Sequence, residues 1–316
     1  MSGGADVEVL LATYNGEPFL RDQIESILGQ DYAGVRVVAR DDGSSDGTVE
    51  ILEEFAARFP ERFQILPPSE GPGGAKDNFL QLMNASRERY VCFADQDDVW
   101  QPQKVSLSKT AMDRLESLSG GGTPLLVLTD LCVVDDQLNV LQESFWKHQK
   151  LDPARIHNFG ALLGQNVLTG CTAMMNRRLV DLALRMPTEA YMHDQWVALV
   201  ASAMGRAMPV EIATVLYRQH DQNVVGFAKR GATPSDLVRR FRNHDARRNQ
   251  WKTSLRQAEA FLRIYEDELP AEMRELLQTY LKCGATESRL MRSYLLIRYG
   301  FLRAGLLEKL ATLIDI

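Results

Sequence analysis

The sequence lacks several features that would assign it to a broad class. No uncharged window of 18 or more residues is apolar enough to read as a membrane span. The opening MSGGADVEVLLATYNG does not show the basic and then apolar order of a secretory signal. A basic excess is also missing, because the net charge of −6 gives no footprint for general nucleic-acid binding. We therefore expect a cytoplasmic protein, with the inner face of the plasma membrane as the other location to consider.

Cysteine is scarce and scattered. The four residues Cys92, Cys132, Cys171 and Cys283 form no C-x-x-C pair, and the first two lie in apolar, strand-like runs. This spacing indicates buried free thiols rather than a metal-binding or redox pair.

Strand and helix patterns alternate along the first two thirds of the chain. The runs VEVLLATYN and VRVVARDD read as strands and flank EPFLRDQIESILGQ, whose apolar residues recur at helical spacing. Further strands are predicted at FQILPP, RYVCFADQDD and LLVLTDLCVVDD, and helices at DGTVEILEEFAARF and KDNFLQLMNAS. This alternation predicts an α/β fold with a Rossmann-like, mostly parallel sheet, helices on both faces, and ligands beyond the carboxyl ends of the strands.

A change of pattern near residue 230 marks a predicted boundary. We assign residues 1–230 to the sheet domain and residues 231–316 to a helical C-terminal extension that is basic in part. The basic residues of its first stretch are Arg239, Arg240, Arg242, Arg247 and Arg248. Four interpretations stay open for the extension: a solvated face, a contact with the acceptor, a peripheral membrane contact, and the interface of a homodimer.

The segment DDGSSDG follows one predicted strand. Counted from Asp42, it has the oxygen spacing of a calcium loop and reaches Glu53 at the twelfth position, but a strand precedes it where an EF-hand needs a helix. Asp46 is expected to cap the helix that begins near Thr48. Asp42 itself, at a strand end beside a glycine, suits the recognition of a nucleotide.

A second acidic segment, FADQDDVW, contains Asp95, Asp97 and Asp98 within four positions. Mutual repulsion raises the pKa of such carboxyls and opposes folding, unless a cation or hydrogen-bond donors compensate. Carboxylates are also the hard oxygen ligands that Mg²⁺ and Mn²⁺ prefer. Taken alone, the segment fits a metal site and a solvated acidic turn equally well.

Four segments taken together resemble the inverting family-2 glycosyltransferases with a GT-A fold, in particular their bacterial rhamnosyltransferase-like members. They are VLLATYNGEPFLRDQIESILGQ, VVARDDGSSDGTVEIL, KDNFLQLM and FADQDDVWQPQK, and the similarity extends over about residues 6–225. The resemblance implies a metal-dependent enzyme that moves a sugar from a nucleotide-sugar donor to a hydroxyl of a glycan or lipid-linked glycan. It favours dTDP-L-rhamnose as the donor and a bacterial surface polysaccharide, or its precursor, as the acceptor. A UDP-hexose donor and a non-catalytic nucleotide-sugar-binding scaffold are the alternatives.

The resemblance also implies roles for single residues. Nucleotide-sugar binding is implied for Thr13, Tyr14, Glu17, Asp42, Asn78, Asp95 and Arg218. It implies Asp97 as the principal ligand of a Mg²⁺ or Mn²⁺ ion, with His220 as a second ligand or as a structural histidine. Asp98 would instead cap the following turn.

The segment MHDQWVALVASAMG supplies the predicted catalytic residue. Asp194 matches the acidic catalytic position of the family, in an H-D-x-W form where many relatives have E-D, which leaves the role of His193 open. A carboxylate there can take the proton of the acceptor hydroxyl as its oxygen attacks the anomeric carbon. The alternative is that Asp194 only caps the helix that follows. The segment NVLTGCTAMMNRRL, with Gly170 and Cys171, resembles the part under the acceptor site, or else forms a tight turn.

Overall fold

A computed structural model of the protein describes residues 5–68, 73–220, 244–303 and 312–313. Its strands are β1 (Val7–Thr13), β2 (Val35–Asp41), β3 (Phe63–Ile65), β4 (Tyr90–Asp95), β5 (Val99–Trp100), β6 (Leu125–Val134), β7 (Val140–Gln142), β8 (Ala173–Asn176) and β9 (Arg206–Arg218). Its helices are α1 (Leu20–Leu28), α2 (Thr48–Arg58), α3 (Gly74–Ala85), α4 (Lys104–Ser117), α5 (Phe145–Gln149), α6 (Phe159–Gly164), α7 (Arg177–Ala183), α8 (His193–Met204), α9 (His244–Tyr265), α10 (Ala271–Ala285) and α11 (Arg289–Arg298).

The strands form a single mixed sheet in the order β3-β2-β1-β4-β8-β6-β9-β5, with β7 paired to β6. The first four strands in this order are all parallel, as are β6 and β9. Strand β8 runs antiparallel to both of its neighbours, so the second half of the sheet departs from the parallel order. The predicted α/β fold is confirmed, and its parallel part is the half that carries the acidic segments.

Both faces of the sheet are covered by helices. In β1, Val7, Val9 and Leu11 point to one apolar cluster, which contains residues of α1, α2 and α4, whereas Leu10 points to the other. Successive side chains of a strand alternate between faces, so a continuous apolar run is what a strand buried on both sides requires. This explains why VEVLLAT is apolar on both faces apart from the buried Glu8 and Thr13.

The strand register brings the predicted site residues to one edge. Thr13 at the end of β1 is in register with Asp41 on β2, and its neighbour Ala12 is in register with Asp95 on β4. Because the three strands are parallel, their carboxyl ends open on the same side of the sheet. The acidic segments that are distant in sequence therefore share one edge.

The C-terminal helices share a hydrophobic core with the sheet domain. Trp196 of α8 lies 5.1 Å from Phe261 and 5.8 Å from Tyr265 of α9, measured between ring centroids. The Tyr280 hydroxyl on α10 donates to the Leu163 carbonyl of α6 at 3.1 Å. The predicted boundary near residue 230 lies outside the described residues and remains a prediction. The segments that it separates do not have independent cores.

The basic segment is only partly described. Arg239, Arg240 and Arg242 lie outside the described residues, whereas Arg247 and Arg248 belong to α9. None of the described helices is long and apolar enough to cross a membrane. All four cysteines are buried and free, as their spacing predicted.

Candidate active site

The loop after β2 is organised by Asp41, a residue for which the sequence pattern predicts no role. Its carboxylate accepts hydrogen bonds from the Thr13 hydroxyl at 2.9 Å and from the backbone N–H groups of Gly43 and Ser44 at 3.0 and 2.7 Å. Gly43 has a φ of 91°, a conformation that favours glycine. Thr13, predicted to bind the nucleotide, thus lies at the sheet edge with its hydroxyl bonded to Asp41.

Asp42 and Asn78 are buried and bonded within the protein. The Asp42 carboxylate accepts the N–H groups of Gly73 and Gly74 at 3.1 and 2.7 Å, at the start of α3, and lies 3.4 Å from an Arg40 guanidinium nitrogen. The Asn78 amide oxygen accepts from Arg40 at 2.8 Å. Both side chains therefore fix α3 against β2, and their predicted contact with a nucleotide remains a prediction.

The loop after β1 is tied to the acidic turn by Gln96. The Gln96 side chain accepts from the Tyr14 N–H at 2.7 Å and donates to the Tyr14 carbonyl at 2.9 Å. The Tyr14 ring itself is 53% exposed. The backbone of Tyr14 is thus fixed while its ring stays available to a ligand. The only feature of the sequence that pointed to Gln96 was its position between Asp95 and Asp97.

The start of α2 is capped as predicted. The Asp46 carboxylate accepts from the Thr48 N–H at 3.1 Å, and the Glu17 carboxylate accepts from the Gly47 N–H at 2.9 Å. Strand β2 precedes this loop, which agrees with the rejection of the calcium-loop interpretation. Glu17, predicted to bind the nucleotide sugar, has one carboxylate oxygen bonded to the helix N-terminus; its other role remains a prediction.

The acidic turn between β4 and β5 is compensated by two residues at the end of β9. The Asp97 carboxylate lies 2.9 Å from the Nε2 atom of His220. The Arg218 backbone N–H donates to Asp98 at 3.3 Å, and its side-chain Nε donates to the Asp97 carbonyl at 2.9 Å. The predicted metal ligands Asp97 and His220 are brought together. Asp98 does not cap the turn that follows it but bonds to β9.

Arg218 is almost fully buried, and its guanidinium group contacts protein groups on every side. Besides the bond to Asp97, it donates to the Asp136 carbonyl at 2.5 Å and to the Asp22 carboxylate at 3.0 Å. Its guanidinium carbon lies 4.6 Å from the centroid of the Phe19 ring. These contacts give Arg218 a positioning role under the acidic turn. Direct contact with a diphosphate remains a prediction.

The repulsion expected among the three aspartates is present. Burial, together with the charges of Asp97 and Asp194, raises the pKa of Asp95 to about 7. Burial, together with Asp97 and Asp95, also raises the pKa of Asp98 well above its usual range. Ligand atoms of Asp95, Asp98 and Cys171 lie within 4.8 Å of one another.

A buried cation partly offsets the charge of this turn. Lys104, at the start of α4, is fully buried, and its Nζ atom lies 4.2 Å from the centroid of the Trp100 ring. Burial lowers its pKa, whereas the nearby thiols of Cys92 and Cys171 and the carboxyl of Asp98 raise it. No residue pattern indicated a role for this lysine beyond its position shortly after the turn.

Asp194 lies in the first turn of α8 and lines a cavity of about 410 Å³. Burial raises its pKa, and hydrogen bonds from the Gln195 and Gly170 backbones and the Asn166 side chain partly oppose this, so that the pKa is about 6. The cavity lies between the sheet domain and the C-terminal helices. Its walls include Tyr191, Tyr217, Arg247, Trp251, Tyr280, Phe301 and Arg303.

His193, whose role was left open, is a buried aromatic packing residue. Its ring stacks on Phe79 at 4.0 Å and meets Phe93 edge-on at 4.9 Å, measured between centroids. Burial lowers its pKa to about 3, so the imidazole stays neutral at physiological pH. It holds the start of α8 against α3 and β4 and thereby orients Asp194.

The segment with Gly170 and Cys171 forms a buried 3₁₀ turn beside Asp194. A Cβ atom on Gly170 would lie 2.9 Å from the Nε2 atom of His193, which explains the glycine at this close approach. The neighbouring Asn166 and Thr169 line the cavity. The tight-turn interpretation describes the backbone, and the role of the segment at an acceptor site remains a prediction.

Comparisons with known proteins agree with this arrangement. Residues 8–122 match the profile described as Glycosyl transferase family 2. The dTDP-rhamnosyl transferase RfbG of Shigella flexneri is 39% identical over 233 residues, which are 68% of this chain and 73% of RfbG. The putative glycosyltransferase EpsE of Bacillus subtilis (strain 168) is 29% identical over 133 residues, 42% of this chain and about half, 48%, of EpsE.

Two solved structures share the fold. The S. aureus TarS 1–349 complex with UDP-GlcNAc has a TM-score of 0.53 at 15% identity and covers 98% of this chain and 89% of that one. The mannosyltransferase PcManGT from Pyrobaculum calidifontis, in complex with GDP-Man and Mn²⁺, has a TM-score of 0.52 at 17% identity and covers 95% and 74%. The predicted GT-A fold, with helices following the sheet domain, is thereby confirmed.

Proposed function

Because the chain belongs to glycosyl transferase family 2, we propose that it transfers L-rhamnose from dTDP-L-rhamnose to a hydroxyl of a bacterial surface polysaccharide or its lipid-linked precursor. The observation that carries this proposal is the position of Asp194, which lines a cavity of about 410 Å³ and whose charge acts on Asp95 at the sheet edge. The identity to a dTDP-rhamnosyl transferase supports the donor.

Asp194 acts as the base of an inverting transfer. It takes the proton from the acceptor hydroxyl while the hydroxyl oxygen forms a bond to the anomeric carbon of the donor sugar. The bond between that carbon and the diphosphate breaks on the opposite side, and the electron pair leaves with the diphosphate. A pKa of about 6 suits this role, because the group is mostly ionised at neutral pH and is still basic enough to accept a proton.

Asp97 and His220 fit a divalent cation. Their carboxylate oxygen and imidazole nitrogen lie 2.9 Å apart, at the same sheet edge as Asp95, and both atom types are common metal ligands. They would hold a Mg²⁺ or Mn²⁺ ion, which when bound offsets the negative charge of a leaving diphosphate. Arg218 and Phe19 position the two ligands, since the first bonds to the Asp97 backbone and the second stacks on the His220 ring at 4.9 Å.

Two half-exposed tyrosines belong to different parts of the proposed active site, and replacing each one should affect a different substrate. Tyr14 is 53% exposed in the β1 loop, and Tyr191 is 50% exposed at the cavity that Asp194 lines. Tyr14→Ala should weaken donor binding by roughly fivefold to a hundredfold, because base–aromatic stacking contributes about 1–3 kcal/mol. Tyr191→Ala should raise the acceptor KM by about threefold to tenfold.

Each tyrosine variant is the control for the other, since the rings are equally exposed and neither replacement empties the core. Donor dissociation constants are measured by calorimetry and acceptor KM values by release of nucleoside diphosphate. If Tyr191→Ala weakens donor binding and leaves the acceptor KM unchanged, the cavity is not the acceptor site.

Asp42 should determine the choice of base. Uracil and thymine present an N3–H donor where cytosine has a bare acceptor, so a carboxylate placed against N3 prefers UDP and dTDP over CDP. A buried acceptor left without its donor costs about 1–3 kcal/mol, or several-fold to tens of fold in affinity. Asp42→Asn should reduce the difference between the affinity for CDP and the affinities for UDP and dTDP, because its amide can donate a hydrogen bond to the bare N3 atom of cytosine.

The measurement is a set of dissociation constants for UDP, dTDP and CDP with Mg²⁺. Thermal unfolding of the variant is followed in parallel, because Asp42 also binds the N–H groups of Gly73 and Gly74. Equal affinities for the three nucleotides in the parent would restrict Asp42 to its role as the anchor of α3.

A donor screen tests the function itself. The full chain is incubated with dTDP-L-rhamnose, UDP-glucose, UDP-GlcNAc or GDP-mannose and a panel of octyl glycosides, and release of nucleoside diphosphate is measured with and without Mn²⁺. We expect release with dTDP-L-rhamnose that depends on the acceptor. Release only with a UDP-hexose would mean that the donor is that UDP-hexose and not dTDP-L-rhamnose. Binding of dTDP-L-rhamnose without any release, across the whole panel, would favour the non-catalytic scaffold.

A further inference from the structure

Helix α11 carries an exposed apolar stripe, which we define as Leu290, Met291, Tyr294 and Ile297. Their side chains are 86%, 51%, 59% and 59% exposed, in that order. Residues three and four positions apart lie on one face of a helix, so Leu290, Tyr294 and Ile297 are neighbours. A contiguous exposed apolar surface of this kind, on a helix of ten residues, indicates an interaction site.

The stripe is not the face by which α11 packs on the protein. Leu296, which points away from the stripe, is buried in the core. Arg292 also turns inward, and its Nε atom donates to the Cys283 carbonyl of α10 at 3.1 Å. Helix α11 is therefore fixed on one side by the core and presents a second apolar side outward.

The charges of α11 favour one kind of partner. Its sequence RLMRSYLLIR contains three arginines and no carboxylate, and Arg289 and Arg298 at its ends are exposed. If the stripe paired with that of a second copy, arginine-bearing helices would meet without a compensating charge from either helix. Anionic lipid headgroups supply that charge, and tyrosine and arginine beside aliphatic residues suit the boundary between headgroups and acyl chains.

The chain leads directly from this helix to the cavity that Asp194 lines. Gly300 has a φ of 72° and ends α11, and the Phe301 N–H donates back to the Leu296 carbonyl at 3.1 Å. The reversal directs Phe301 into the core, where its ring lies 4.9 Å from that of Tyr280. Phe301 and Arg303 both line the cavity. A surface bound by α11 is thus connected to the cavity through a few buried residues.

We propose that the apolar stripe of α11 docks the protein on the surface of an anionic lipid bilayer. The stripe enters the boundary region while Arg289 and Arg298 contact the headgroups. The consequence for catalysis, which rests on the proposed function, is that a lipid-linked acceptor is presented at the cavity. The docking itself requires no transfer, so the two proposals can fail separately.

Sedimentation with vesicles tests the docking. The full chain is mixed with large unilamellar vesicles of phosphatidylcholine containing phosphatidylglycerol, or of phosphatidylcholine alone. The parent should bind the anionic vesicles and lose binding as salt rises. Changing Leu290, Tyr294 and Ile297 together to Ser should weaken binding at least about tenfold, because it removes most of the apolar contact. Arg289→Gln with Arg298→Gln should weaken binding roughly tenfold or more on anionic vesicles only.

The matched control changes three apolar residues exposed elsewhere, Leu118, Val140 and Leu141, to Ser; they are 59%, 58% and 44% exposed. Circular dichroism verifies folding of each variant, and transfer to a soluble octyl glycoside should be unchanged in all of them. Parent protein that does not bind vesicles, or a stripe variant that binds as well as the parent, overturns the docking. A stripe variant that converts a dimer to a monomer in light scattering, without vesicle binding by the parent, assigns the stripe to a second copy. Vesicle binding without sugar transfer keeps the docking and rejects the function.

Discussion

Asp194→Asn is expected to bind the donor as the parent does and to transfer sugar about a hundredfold to ten-thousandfold more slowly, which is the usual effect of losing a general base. Asparagine keeps the shape of the side chain and can still accept the Gln195 N–H that now bonds to Asp194 at 2.6 Å. The fold and the donor site should therefore be unchanged. The variant lacks only the base that takes the proton from the acceptor hydroxyl.

The pH dependence gives this prediction a second readout. Because burial raises the pKa of Asp194 to about 6, lowering the pH through that value protonates the base and reduces kcat of the parent. The low-pH fall should disappear from the residual activity of Asp194→Asn. The parent rate should stay level from about pH 7 upward as far as this group determines it.

Asp97→Ala is the control that separates the two carboxylates. It should weaken donor binding in the presence of Mn²⁺ and have little effect in its absence, because Asp97 belongs with His220 to the proposed cation site. Calorimetry measures donor binding and diphosphate release measures turnover. Normal turnover by Asp194→Asn would contradict its catalytic assignment and direct attention to Asp95, whose pKa of about 7 lies in a similar range.

The parallel half of the sheet could be predicted because its signals are local. The apolar runs of β1, β2 and β4 are interrupted by helices with regular periodicity, and each run ends in a polar residue that the register brings to one edge. Strand β8 gave a weaker signal. It has four residues and follows a buried 3₁₀ turn, so neither its length nor its flanking sequence indicated an antiparallel insertion.

The partners of the site residues could not be predicted, because they are distant in sequence. Asp42 reaches Gly73 and Gly74 across 31 and 32 positions, and Gln96 reaches Tyr14 across 82. Such pairs depend on the strand order and on loop geometry, which residue patterns do not encode. The resemblance therefore indicated which residues belong to the site but not that many of their polar atoms bond to other groups of the protein.

The cavity is the clearest example of this limit. Its wall contains Asp194 from the sheet domain, Trp251 from α9 and Phe301 after α11. Each of these residues has an ordinary helical or apolar signal in the sequence. Only the packing of α9 and α10 on α6 and α8 shows that the C-terminal extension forms part of the candidate active site.

Arg218→Met should destabilise the protein by about 3–5 kcal/mol, which is typical when one partner of a buried ionic network is removed. The Arg218 side chain is only 3% exposed. Its guanidinium group donates hydrogen bonds to the Asp97 and Asp136 carbonyls and to the Asp22 carboxylate. Methionine fills a similar volume but donates no hydrogen bond, so both carbonyls lose their donor. The free energy of unfolding, measured with urea, reports this effect.

Asp22→Asn is the matched control, because it removes only the ion pair. The Asp22 side chain is 55% exposed, and an exposed carboxylate of this kind contributes about 1 kcal/mol or less. Its unfolding midpoint should therefore stay close to that of the parent. A large loss in Asp22→Asn would mean that the ion pair, rather than the bonds to the two carbonyls, stabilises the acidic turn.

Arg218→Lys distinguishes the positioning role from direct contact with the diphosphate. Lysine keeps the positive charge but cannot donate to three groups in the plane of a guanidinium, so a positioning role predicts lower stability together with weaker donor binding in Mn²⁺. Stability and donor binding should then decrease together. Arg218 bonds to the Asp97 backbone, and His220 follows Arg218 by two positions, just after β9, so Arg218 positions both proposed metal ligands. If Arg218→Lys weakens donor binding while its free energy of unfolding equals that of the parent, the guanidinium group contacts the donor itself. The acidic turn is then stabilised by other groups, and the buried Lys104, whose charge interacts with Asp98, is one candidate.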